Sequence, residues 1–205
     1  MSLDVSNIAY LGFRLAPFII VFYFVFQTIL NFEIRGFVYM AGLSLSCVLI
    51  YFCNPLLLSL FPPKSPLVSK NAKCNIISLG NEGSPLLEIP LSIAVYTYTF
   101  MYLLMFMVAT GDNVNLALSQ NIPTLVIFPL LCMFEIFWIV TNNCITEPVF
   151  LIIASMVLSG GVAVAWALLV ISLKINKLHY TQNTDLGHVC DRPSKTLFRC
   201  KPQRI

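Results

Sequence analysis

From Val149 to Leu173 the chain runs for 25 residues without one Asp, Glu, Lys or Arg. As a helix, such a stretch is longer than the ~30 Å hydrocarbon core of a bilayer, at ~1.5 Å per residue. A water-soluble fold would have to cover it on every side. A bilayer needs only that the backbone be hydrogen-bonded within the segment, which a helix provides. Four further apolar stretches come close to or meet the same length: Ile8–Leu30, interrupted by Arg14 and Pro17; Phe37–Phe61, closing on Cys53, Asn54 and Pro55; Ile89–Thr110; and Ile122–Val140, which contains Glu135. Charged residues make up 10% of the chain and hydrophobic ones 58%. Soluble domains carry roughly 25% charge, so there is too little here to coat a globule. The expected fold class is all-α: a polytopic α-helical membrane protein with about five transmembrane helices, at 8–30, 37–61, 89–110, 122–140 and 149–173. These make up a bundle over residues 1–173, followed by a soluble basic C-terminal tail, 174–205. The aromatic residues, 13% of the chain, are expected at lipid-facing and interfacial positions. The opening residues lack a basic stretch and carry Asp4, so the first apolar segment is expected to stay as an anchor. If that segment lay along the interface, with Arg14 at the headgroups, the count would be four.

Between the spans the chain uses turn chemistry. Asn31–Gly36 holds Glu33 and Arg35, Gly111–Asn121 begins Gly-Asp-Asn, and Thr141–Pro148 is short and polar. Pro62–Leu87 is the one long connection and carries Lys64, Lys70 and Lys73. With five spans the termini lie on opposite sides. Apart from Arg14, three Lys/Arg residues then fall on the N-terminal side. Eight fall on the tail side: Arg35, Lys174, Lys177, Arg192, Lys195, Arg199, Lys201 and Arg204. The positive-inside rule places the tail in the cytoplasm.

Few residues carry candidate chemistry. Glu135 lies among Phe134, Ile136, Phe137 and Trp138, and a carboxylate at membrane depth marks either a pathway or an internal pairing. Its candidate partners are Arg14, the other charge within an apolar segment, and the polar neighbours Asn142 and Asn143. A proton or ion relay normally needs more than one titratable group, which favours the structural role. Ser155, Ser159 and Ala163, beside Gly161 and Ala165, form a small-residue stripe, as do Gly42 and Ser46. Such a face suits close helix packing, within the chain or between copies. Cys47, Cys53 and Cys132 read as small packing residues, while Cys74 and Cys144 fall in polar loops. In the tail, Cys190 and Cys200 can close a disulfide, against which stands the reducing cytoplasm, so free thiols remain the alternative. A zinc site built from His179, His188, Cys190 and Cys200 lacks the tight Cys-x₂₋₄-Cys spacing. No phosphate-binding glycine loop, His-Glu-x-x-His or Gly-x-Ser-x-Gly is present, and only Asn142, Asn143 and Glu147 cluster at an interface. The chain is therefore expected to be no enzyme, with no catalytic set, cofactor, metal, nucleic acid or small-molecule substrate. The alternative to a structural role is a small transporter or channel using Glu135 and Arg14.

Four stretches carry a resemblance: Tyr10-Leu-Gly-Phe-Arg14-Leu-Ala-Pro17-Phe, Arg35-Gly-Phe-Val-Tyr-Met-Ala-Gly42-Leu, Cys74-Asn-Ile-Ile-Ser-Leu-Gly, and Pro90-Leu-Ser-Ile-Ala-Val-Tyr-Thr-Tyr-Thr-Phe-Met-Tyr102-Leu. Over this first half the chain resembles a multi-span membrane-protein family of nucleocytoplasmic large DNA viruses. The resemblance implies a place in the internal membrane of the virion, beneath the capsid, as a minor capsid-associated structural protein. It implies no catalytic residues. The basic tail, with Lys174, Lys177, Arg192, Lys195, Arg199, Lys201 and Arg204 as candidate capsid or lipid contacts, would then face the capsid layer.

Overall fold

The computed structural model describes residues 5–31, 34–60, 90–110, 114, 118–119, 121–141, 148–173, 190–191 and 199–200. Among them are five long helices: α1 (Val5–Asn31), α2 (Ile34–Leu60), α3 (Leu91–Thr110), α4 (Ile122–Thr141) and α5 (Pro148–Ser172). Four of these, α2 to α5, are long and apolar enough to cross a membrane, which makes the chain an integral membrane protein by length and composition. In α1 the shorter run Leu15–Leu30 is apolar. Prolines are tolerated inside three of the helices, Pro17 in α1, Pro55 in α2 and Pro129 in α4. Helix α2 continues through Pro55 to Leu60, close to the expected end at Phe61. In a bundle, neighbouring groups re-satisfy the backbone that a proline frees.

Pairings along the helices fix their directions. Phe24 stacks on Tyr39 with ring centroids 4.0 Å apart, and Thr28 lies against Gly36, so α1 and α2 run antiparallel. Ser92 meets Glu135 and Phe100 meets Phe128, so α3 and α4 are antiparallel as well. Ser155 reaches Pro90 while Gly160 lies over Thr97 and Met101, so α3 and α5 are parallel. That last contact is the most extensive in the molecule, and α3 also touches α1, α2 and α4. Helix α3 is therefore the hub.

The largest core cluster joins Phe24, Tyr39, Leu43, Tyr98, Tyr102, Phe106, Ala163, Ala167 and Val170, contributed by four helices. Here the expectation for aromatics divides. Phe18, Phe22, Phe26, Phe37, Phe52 and Phe137 point outward, as lipid-facing residues should. Tyr39, Tyr96, Tyr98 and Tyr102 are instead among the most completely buried side chains. A phenol hydroxyl finds no partner in hydrocarbon, whereas those of Tyr39 and Tyr98 find one inside the bundle. Tyr39 Oη lies 2.7 Å from Thr99 Oγ1, and Thr99 donates its only proton to the Val95 carbonyl at 2.7 Å, so Tyr39 is the donor. Tyr98 Oη in turn donates to the Tyr39 carbonyl at 3.4 Å.

Beyond the helices, the tail contributes one short ladder. Strand β1 (Cys190–Asp191) pairs antiparallel with β2 (Arg199–Cys200), placing Cys190 opposite Cys200 and Asp191 opposite Arg199.

Candidate functional site: a polar seam around Glu135

Glu135 is the acidic residue that the bundle encloses, with 5% of its surface exposed. It lies six residues before the end of α4 at Thr141, or about 9 Å along the helix axis. At that level α3 begins. Ser92, in the first turn of α3, donates from its hydroxyl to Glu135 Oε1 at 2.6 Å. Directly before it, the Pro90 carbonyl accepts from the Ala94 amide at 3.3 Å and from Ser155 Oγ of α5 at 3.1 Å. Ser159, one turn further along α5, donates to the Ser155 carbonyl at 2.7 Å. On the next turn of the α3–α4 seam, Cys132 lies beside Thr97. The start of α3 is thus tied to α4 by one side-chain hydrogen bond and to α5 by another.

The choice of groups is physically coherent. The start of a helix leaves backbone amides unsatisfied and carries partial positive charge, which suits an acceptor oxygen nearby. Pro90 has no amide hydrogen to satisfy, and the two lone pairs of its carbonyl serve the helix and Ser155. The directions of the bonds limit what the seam can do. The hydroxyls of Ser155 and Ser159 both donate to backbone carbonyls, which accept a hydrogen bond but do not pass a proton on. The arrangement links α3 to α4 and to α5.

The other expected site residues fall as follows. Glu135 takes Ser92 on α3 as its partner, a residue that sequence reasoning did not propose. Arg14 lies in α1, but its side chain, like Asn142, Asn143 and Glu147, is outside the described residues, so the expected Arg14–Glu135 pairing falls outside them too. The same holds for Cys74, Cys144, His179, His188, Lys174, Lys177, Arg192, Lys195, Lys201 and Arg204; Arg199 is placed only by the backbone of β2. Cys47, Cys53 and Cys132 are free thiols, Cys132 buried and the others half-buried. The small-residue stripe divides. Ser155, Ser159 and Ala163 are fully buried in the bundle, whereas Gly161 and Ala165 are exposed. In α2, Gly42 and Ser46 both face inward. A Cβ on Gly42 would overlap Tyr98 Oη and come within 2.5 Å of Trp166 Cδ1. Trp166 is oriented by its own hydrogen bond, Nε1 to the Val38 carbonyl at 2.9 Å.

No protein-family model, no curated protein and no solved structure matches this chain.

Proposed function

We propose that this chain is a structural integral membrane protein of a large DNA virus particle, its helices anchored in the internal membrane and its basic tail docked on capsid or minor capsid proteins. The observation that carries the anchor reading is the filled interior of the bundle. Tyr39, Tyr98, Tyr102 and Phe106 occupy the space between helices, and Trp166 lies against Gly42. Such a centre stabilises one arrangement of helices and offers no water-lined route. The viral setting comes from the resemblance in the first half of the chain, and the direction of the tail from the charge bias of its lysines and arginines.

In this reading α1 is a fifth span. Its outward face presents Leu15, Phe18, Ile19, Phe22, Phe26 and Ile29, a surface suited to lipid rather than to water. Its inward face packs antiparallel along α2, as the return stroke of a membrane hairpin would.

Removing residues Asp191–Ile205 should leave membrane insertion intact and reduce recovery of the protein with the capsid layer in particle fractionation. Unchanged recovery would remove the docking role. The transporter reading makes the opposite demand on Glu135. Purified protein in liposomes should conduct neither protons nor small ions above the protein-free background. A flux abolished by Glu135→Gln would replace the anchor with a transport function.

A further inference from the structure

Among the described residues outside the helices, the backbone brings one pair of reactive side-chain types into register. Cys190 in β1 stands opposite Cys200 in β2. Directly opposed residues of an antiparallel ladder have Cα atoms ~4.5 or ~5.5 Å apart, depending on whether the pair is hydrogen-bonded. A disulfide spans Cα separations of ~4.4–6.8 Å, so the Cα spacing of either kind of pair falls within its range. The neighbouring rung, Asp191 opposite Arg199, joins an acid to a base and favours the same register. Yet the ladder is only two residues long on each side. Even longer isolated hairpins are marginal in water, so these strands need more than backbone hydrogen bonds to persist.

We propose that Cys190 and Cys200 form a reversible intramolecular disulfide that locks the tail hairpin, made by exchange with a small-molecule disulfide of the oxidised-glutathione class. One cysteine, as the thiolate, attacks a sulfur of the oxidant. A mixed disulfide forms, the oxidant's S–S bond breaks, and one glutathione thiolate leaves. The second cysteine, also as the thiolate, then attacks the protein sulfur of the mixed disulfide and expels the second glutathione. The two protein thiols lose two electrons and two protons, and the oxidant becomes two thiols. On the cytoplasmic side, where the charge bias places the tail, the resting state is the open dithiol. The hairpin closes when the redox poise turns oxidising. This inference does not depend on docking to a capsid, since it concerns the chain's own closure.

Full-length protein in detergent micelles, equilibrated in glutathione buffers from reducing to oxidising, tests it. Free thiols are then blocked with N-ethylmaleimide, and the digest is analysed without reduction. The expected product is a Cys190 peptide joined to a Cys200 peptide, lighter than the two together by two hydrogen atoms. In Cys190→Ser and Cys200→Ser the remaining thiol should carry glutathione instead. With reduced glutathione held at ~0.1 mM, the pair should reach half oxidation at ~10-fold less oxidised glutathione than either single variant needs for half modification, because the second thiol acts at an effective concentration of ~1 mM. The proposal is overturned if both cysteines stay alkylated throughout, if each carries only glutathione, or if they join cysteines elsewhere in the chain or in another copy.

Discussion

Helix α3 is held on one flank by α2 and α5 and on the other by α4, and the two seams are built differently. Toward α2 and α5 the contact is a fit of shapes. Gly42 leaves a notch, Tyr98 and Trp166 fill it, and the hydroxyls of Tyr39 and Tyr98 find partners within the packed layer. Helix α4 is the more peripheral partner, with 22% of its span buried against 44% for α3, and the Ser92–Glu135 hydrogen bond marks its seam with α3. Lipid supplies no hydrophobic force between helices, so a bundle must rely on close packing and interhelical hydrogen bonds. Hydrogen bonds cross both seams: toward α2 and α5 they join hydroxyls to neutral groups within a close fit of shapes, whereas toward α4 the bond is to a carboxylate.

Substitutions at three positions would break or sharpen that comparison. The largest effect is expected at Gly42. Gly42→Leu puts a branched side chain where even a Cβ overlaps Tyr98, and overpacking of this kind costs ~1–3 kcal/mol or more. Thermal unfolding in detergent should show a strongly lowered midpoint or no folded protein; an unchanged midpoint would mean that the notch is not tight. Next comes Glu135. Glu135→Ala leaves the Ser92 hydroxyl facing a void and should cost ~1–2 kcal/mol, whereas Glu135→Gln keeps an acceptor and should cost less than half of that. If the two variants melt alike, the hydrogen bond is not what holds α4. The smallest effect, of opposite sign, belongs to Ser46, whose hydroxyl is buried with no hydrogen-bond partner. Ser46→Ala should be neutral or stabilise by up to ~1 kcal/mol, and a clear destabilisation would reveal a partner for that hydroxyl.

Sequence and structure agree where a rule depends on one helix alone and part where it depends on two. The apolar lengths and the missing charge identify helices without knowledge of any neighbour. Small residues at Gly42, Ser46, Ser155, Ser159 and Ala163 mark the faces on which helices close up. Helical geometry separates Gly161 and Ala165 from that stripe. Each lies two residues from a stripe member, and two residues turn ~200°, to the opposite face. The partner of Glu135 was not legible. Ser92 is 43 residues away, small and unremarkable in composition, and its role exists only because α4 returns antiparallel beside the start of α3. The aromatics, expected as a class at lipid-facing and interfacial positions, divide for a related reason: Tyr98 and Tyr102 are buried only because α2 and α5 arrive around them.

The central position of α3 also bears on biogenesis. Helix α3 leaves the ribosome well before α5, whose Ser155 lies 65 residues beyond the Pro90 carbonyl it meets. Until then α3 can enter the bilayer as a charge-free helix, but the surface it will give to α5 faces lipid or the insertion machinery. The bundle therefore matures only once α5 has emerged. A chain truncated before Pro148 would insert and remain unfinished, exposing the inner face of α3 to quality control.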